Sequence, residues 1–369
     1  MKHIALVSGG AGFIGSHTAD ALAKRGFRVR IVDHLGPPVH DGHWPAYVRG
    51  KGYEFMRGDV REKRTWEKAL QGVSVVYHLA AYQDQRLDFS TFFATNTVST
   101  ALLYEVAVEK KIPLRHVIIA SSQFVYGDGF YRCAHRKALF APELRTSTQF
   151  SKKQWDIRCV QGKIAHALPF REDQKVNPTN SYGLSKYALE HAALRLGKTY
   201  DIPTTIFRYS IVQGARQSPK NIYSGALRIF VQQALAGVPL TVYEDGMQTR
   251  DFVNIADVVR ANLMPLTRKK MCFEIYNVGG GKSYRVIDFA RAVQRLTNTK
   301  SKIVTGGFRR TDTRHAVSDI AKLMHLGWRP RYRINESIVE YVQWMKKEGY
   351  RHARTRKALA SLEKGMMRS

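Results

Sequence analysis

"GGAGFIGS", residues 9–16, follows the apolar run "HIALVS" and opens the helical pattern "FIGSHTADALAKRG". Strand, glycine turn and helix therefore stand in sequence, with Gly9, Gly12 and Gly15 spaced three apart. A diphosphate needs backbone N–H groups aimed at it from a helix N-terminus with no side chain in the way. Glycines at this junction allow both the turn and the close approach. Asp33 ends the next apolar run, "RVRIVDH", 18 residues after Gly15. A carboxylate there accepts hydrogen bonds from a ribose 2′-hydroxyl and repels a 2′-phosphate, so the stretch reads as a site for NAD rather than NADP.

The same rhythm continues outward. "YEFMRGDV", "SVVYHLAA" and "HVIIASS" are short runs rich in valine and isoleucine, as buried parallel strands are. "RTWEKALQG" and "FSTFFATNTVSTALLYEVAVEKK" are helical patterns between them, closed by Gly72 and by the approach to Pro113. Repeated alternation implies right-handed crossovers and an α/β fold: a doubly wound parallel sheet of the Rossmann type. We assign residues 1–210 and 247–270 to this NAD-binding domain, and 211–246 with 271–345 to a smaller α/β substrate domain. Residues 128–170, basic and aromatic without clear period, read as an insertion over the carboxyl edge of the sheet. Residues 346–369 read as a basic tail.

At 369 residues, with 44% hydrophobic and 24% charged side chains, the composition is that of a soluble globular protein. No apolar run approaches the ~18 residues of a membrane span, and "MKHIALVSGG" reads as a strand rather than a signal peptide. Cys133, Cys159 and Cys272 give no disulfide framework and suit a reducing cytoplasm. The net charge of +29 is spread along the chain, with clusters at 132–163 and in "KKEGYRHARTRK". It contains no aromatic-interleaved basic motif of a nucleic-acid module. A basic proteome or anionic substrates account for it, and no specific nucleic-acid partner is expected.

The chemistry concentrates at strand ends, where doubly wound sheets bind their ligands. "RGDV" offers Asp59 to an adenine amine, and Ala80 and Ala81 let a cofactor pass close. His78, inside an apolar run, reads as a packed histidine. "NSYGLSKYALEH" places Tyr182 four residues before Lys186, on one helix face. A free phenol has a pKa near ~10. A neighbouring ammonium and an oxidised nicotinamide would favour the phenolate and make Tyr182 a general base on a hydroxyl.

Together, "GGAGFIGS", "ASSQFVYG" and "YGLSK" resemble the extended short-chain dehydrogenases/reductases, in their NAD-dependent nucleotide-sugar epimerase/dehydratase branch, over roughly residues 1–345. The resemblance implies a catalytic set of Ser122, Tyr182 and Lys186, with Lys186 also holding the nicotinamide ribose. It implies a cofactor wall that includes Phe13, Ile14, His34, Val60, Leu79, Asn96, Ser121 and Tyr209. Dehydratases and decarboxylases of the family carry an acid beside the serine, and 3,5-epimerising members a cysteine. Here Gln123 and Phe124 stand there, which leaves hydride removal and return at one carbon: 4-epimerisation of a nucleotide-linked hexose or deoxyhexose through a transient 4-keto sugar. A net oxidoreductase and a catalytically silent dinucleotide-binding protein are the alternatives.

The resemblance further maps substrate contacts onto Gln123, Phe124, Arg216, Asn221, Tyr223, Arg250, Arg309 and Asp312; arginine's planar fork suits a diphosphate. Ile211 in "RYSI" stands where the family commonly has asparagine. "DHLGPPVHDG" and "VYGDGFYRC" are most similar to dTDP-L-rhamnose 4-epimerase-like members, some with paired cysteines in the insertion. No metal is assigned here; Cys133, His135, Cys159 and His166 are the weak candidates, without C-x-x-C spacing. The family leads us to expect a homodimer through the segments 88–111 and 181–200.

Overall fold

The computed structural model describes residues 3–84, 86–133, 138–221 and 225–349. Seven strands form one parallel sheet: β1 (Ile4–Ser8), β2 (Arg28–Asp33), β3 (Glu54–Arg57), β4 (Val73–His78), β5 (His116–Ser122), β6 (Thr204–Tyr209) and β7 (Glu274–Val278). Their order is β7-β6-β5-β4-β1-β2-β3, every neighbouring pair parallel. The order reverses between β1 and β4, which opens a crevice at their carboxyl ends.

Period-two alternation divides the strand side chains between two cores. Ala5, Val7, Ile31, Tyr77, Ile118 and Phe207 face one side, covered by α1 (Phe13–Lys24) and the helix Ile255–Leu263. Leu6, Val32, Val76, Ile119 and Ile206 face the other, under α2 (Lys63–Ala69), α3 (Ser99–Glu109) and α4 (Ser181–Thr199). β5 is buried along its whole length, as a central strand covered on both faces must be.

A third core, with Leu227, Phe230, Phe252, Phe289 and Tyr341, holds the smaller lobe together. Three features depart from the sequence reading. The run 274–278, grouped above with the smaller lobe, is β7, the edge strand of the main sheet. The long helical segment 89–111 is interrupted by a π-helical stretch, Phe93–Val98. The insertion carries structure of its own: an antiparallel sheet of Tyr131–Cys133, Leu139–Phe140 and Ala165–Ala167, and a short helix, Ser147–Ser151. The expected tail begins two residues inside the helix Ile334–Lys347, and its part from 350 onward lies outside the described residues. Among the described residues no helix is long and apolar enough to cross a membrane.

Candidate active site

One cavity of about 610 Å³ runs along the carboxyl ends of the strands into the smaller lobe. At one end lies the N-terminus of α1, which no side chain among the described residues caps, so its first N–H groups stand at the cavity wall open to a ligand. Gly9, Gly12, Phe13, Ile14 and Gly15 line it there. Gly15 has no alternative: a Cβ would stand 2.1 Å from the Gly9 carbonyl oxygen.

Asp33 closes the same end. Its carboxylate accepts from the Ala11 and Leu35 N–H groups at 3.1 and 2.9 Å. Burial alone would raise its pKa, but His34, the Leu35 N–H and His40 together hold it below the ordinary carboxylate value. A fixed negative charge therefore faces the cavity beside an uncapped helix N-terminus, which suits a ribose hydroxyl next to a diphosphate. Asp59 also lines the cavity, but Arg61 engages both of its carboxylate oxygens, a partner the sequence reading did not foresee. His34, Val60, Leu79, Ala80, Ala81, Ser121 and Tyr209 line the same cavity.

At the centre, β5 and α4 converge. Asn180 caps α4 by accepting from the Gly183 N–H at 2.8 Å. Gly183 lies so close to the turn after β5 that a Cβ would meet the Phe124 oxygen at 2.5 Å. This approach brings the Tyr182 phenol towards the Ser122 side chain, which opposes part of the effect of burial on it. Lys186 donates to the Ala120 carbonyl at 2.8 Å, its Nζ 6.0 Å from the centre of the Tyr182 ring. Gln123 and Phe124 stand beside Ser122 on the cavity wall, and the Gln123 Oε1 has no partner among the described residues.

The protein's own charges do not lower the phenol. Burial pushes Tyr182 up to about 12, against a smaller opposing effect of Ser122. Burial also brings Lys186 down to about 7, opposed by Glu190. Of the two charges expected to favour the phenolate, the Lys186 ammonium does not suffice by itself: both groups lie in the interior, where desolvation outweighs it at this distance. His78 is a packed histidine, bonded to Ser8 and Ser99 and lowered to about 3 by burial.

Beneath Lys186 lies a network that the sequence reading missed. Glu190, one helical turn on, accepts from the Ser121 hydroxyl at 2.5 Å and from two Arg208 nitrogens at 2.8 and 2.6 Å. Arg208 continues to the Tyr126 hydroxyl, and Tyr126 to Asn277. Its sequence signal was the i+4 spacing of Glu190 from Lys186.

The far end of the cavity carries Asn221, Arg250, Arg309 and Asp312. Arg250 is half-buried and, among the described residues, donates to the Thr249 and Arg314 carbonyls; desolvation lowers its pKa. Arg309 lies over the Tyr243 ring at 4.8 Å. The structure adds Gln217 and Gln248 to this wall, each with an unpartnered Oε1, and Phe170 from the insertion.

Two expected site residues lie elsewhere. Arg216, turned by a positive φ of 67°, pairs with Asp20 at 2.8 Å and covers Tyr47. Asn96 is buried in the π-helical stretch, where it bonds the Tyr82 backbone and Ser185 and does not reach the cavity wall. Tyr223 and His135 lie outside the described residues. His166 pairs with Arg132 on the exposed face of the insertion sheet, opposite to buried Cys133, so it cannot share a metal with that thiol.

The chain matches the NAD-dependent epimerase/dehydratase family over residues 5–153 and 158–279. It is 31% identical over 350 residues to dTDP-L-rhamnose 4-epimerase of Burkholderia thailandensis, covering 93% of this chain and 95% of that protein. It is also 31% identical to a putative UDP-glucose 4-epimerase of Methanocaldococcus jannaschii, covering 92% and 98%. UDP-glucuronic acid 4-epimerase of Bacillus cereus, solved with UDP-glucuronic acid and NAD, superposes with a TM-score of 0.76 at 26% identity, covering 94% and 99%.

Proposed function

The chain belongs to the NAD-dependent epimerase/dehydratase family, and on that premise we propose that it is an NAD-dependent nucleotide-sugar 4-epimerase. One observation carries the reading. Ser122, Tyr182 and Lys186 meet midway along a cavity with an uncapped, glycine-lined helix N-terminus at one end and half-buried Arg250 towards the other. Bound NAD supplies a hydride acceptor and, while oxidised, a positive charge.

The chain's residues do the rest. The α1 N-terminus and Asp33 hold a diphosphate and a ribose; Arg250 and Arg309 hold the nucleotide part of the substrate. Ser122 orients the sugar 4-hydroxyl, and Tyr182 takes its proton and later returns it. Lys186 favours the phenolate whenever it carries its proton. Gln123 and Phe124 offer no second acid or base beside Ser122, so elimination and epimerisation next to the ketone lack a proton carrier on that wall. A 4-keto sugar that turns over and is reduced from its other face gives the epimer.

A homodimer suits the exposed apolar side chains Phe89, Val98 and Leu184 on the segments 88–111 and 181–200; sedimentation as a monomer at working concentration would remove it. Cys133, Cys159 and Cys272, with their sulfurs as thiols, suit a reducing, cytoplasmic setting.

The test is incubation with UDP- and dTDP-linked hexoses, 6-deoxyhexoses and uronates, followed by NMR for isomers of unchanged mass. Tyr182→Phe should lower turnover by about 10²–10⁴-fold with NAD still bound. Lasting accumulation of reduced nicotinamide would instead identify a net oxidoreductase. Equal rates in wild type and Tyr182→Phe would end the catalytic reading and leave a dinucleotide-binding protein.

A further inference from the structure

The geometry points to Cys133 and Cys159 as a disulfide-forming pair, a covalent modification site in the insertion that is separate from the epimerase chemistry. Their sulfurs are 2.9 Å apart, and both side chains are buried. A disulfide bond is about 2.05 Å long, so closure asks for roughly 0.9 Å of side-chain movement.

Neither cysteine sits on a loose segment. Cys133 ends the strand Tyr131–Cys133, paired with Ala165. The Cys159 N–H bonds the Lys163 carbonyl, and the Cys159 carbonyl accepts from Gly162, so a tight turn fixes it.

The bond would close a loop of 26 residues that fastens the insertion to the smaller lobe. Within the loop, Arg145 pairs with Glu244 at 2.8 Å and donates to the Asp312 carbonyl at 2.7 Å. Asp156 accepts from two Arg314 nitrogens at 2.9 and 2.8 Å. Just before Cys133, Asp128 accepts from the Arg314 N–H at 2.9 Å. Both ends of the crosslink thus lie next to anchors on Arg314, and Asp312 and Thr313 beside it line the cavity. Oxidation would add a covalent tie between the two ends of a segment that these ion pairs hold against the substrate end.

The step balances with a low-molecular-weight disulfide such as oxidised glutathione. One thiolate attacks it and releases a glutathione thiolate; the second cysteine, losing its proton, displaces the other. Two thiols lose two protons and two electrons, one S–S bond forms, and two glutathione thiols are released. Cys272, half-buried with its pKa raised chiefly by burial, lies outside the insertion and serves as an internal reference.

The test uses the full chain treated with oxidised glutathione, unfolded in denaturant with iodoacetamide and mapped as peptides. The expected result is a crosslinked peptide pair containing residues 133 and 159, lighter by two hydrogens, with Cys272 alkylated. Tm should rise by several degrees and return on reduction, because the crosslink restricts the unfolded chain; Cys159→Ala should abolish the rise. Full alkylation of all three cysteines would overturn the assignment. So would glutathione adducts without a crosslink, or one zinc per chain shielding both thiols until chelation.

Discussion

Lys186 and Tyr182 are both nearly sealed from solvent, and burial opposes the charges that proton transfer from a sugar hydroxyl requires. Glu190 is the nearest remedy within the protein: its carboxylate raises the proton affinity of Lys186, which burial has brought to about 7. Glu190→Gln should therefore lower that affinity further. Turnover should fall most on the alkaline side of neutrality and recover as pH drops, whereas loss of packing alone would scale the whole pH profile without moving it. Tyr182, His78 and Arg208 also face this ammonium or its partner from α4, β4 and β6. Their charges are unaltered by the substitution, so a shift reports on Glu190. The linkage to stability has a definite sign. An unfolded lysine titrates near ~10.4, while Lys186 in the fold titrates near 7. Between those values the unfolded chain binds more protons, so stability rises with pH across that window. Lys186→Met should flatten the rise, gaining most over wild type at the acid end of the window; parallel melting curves from neutral to alkaline pH would contradict this.

At the scale of elements, the strand–turn–helix at 4–24 was legible because its function and its geometry are written in adjacent residues. Gly15→Val tests it: a side chain there collides with the Gly9 carbonyl, so the turn must open and the N–H groups lose their common focus. The purified variant should carry no NAD and bind added NAD at least ~10-fold more weakly, while circular dichroism still reports an α/β fold. NAD affinity equal to wild type would remove the cradle reading. Tyr182 and Lys186 were legible for a similar reason, since helical spacing alone puts them on one face. Other elements were not. Asn96 was assigned to the cofactor wall as if on an ordinary helix, but the π-helical stretch Phe93–Val98 directs it towards Tyr82 and Ser185. The run "FEIYNV" suits a buried strand in either lobe, and only pairing with β6 decides for the main sheet. Arg216 looked like a phosphate ligand until its left-handed backbone turned it to Asp20. The insertion hid its strands because they are two or three residues long, too short for a period to register.

At the scale of the whole molecule, a formal charge of +29 is held together at neutral pH, and acid makes the holding harder. Among the described residues, burial holds several histidines well below the usual value: His17, His116 and His315 are lowered to about 4, and His78 to about 3. In the unfolded chain they titrate near ~6.5. As pH falls below that value the unfolded state takes up protons that the fold refuses, so stability is lost progressively down to about pH 4. Two of these histidines sit at joints between parts of the molecule. His17 on α1 bonds the Ala215 carbonyl at 3.0 Å, and His315 bonds the Thr249 hydroxyl at 2.9 Å. Protonation therefore adds positive charge where separate segments meet, in a chain that already repels itself. Salt should relieve the repulsion but leave the desolvation cost of the histidines in place, because buried groups are screened much less than exposed ones. Tm should accordingly fall steeply between about pH 6.5 and about pH 4.5. Raising sodium chloride from about 0.05 M to about 0.5 M should lift the whole curve without abolishing its slope. A slope that vanishes in salt would assign the acid sensitivity to surface charge alone, and a flat curve at low salt would show that these histidines already bind protons in the fold.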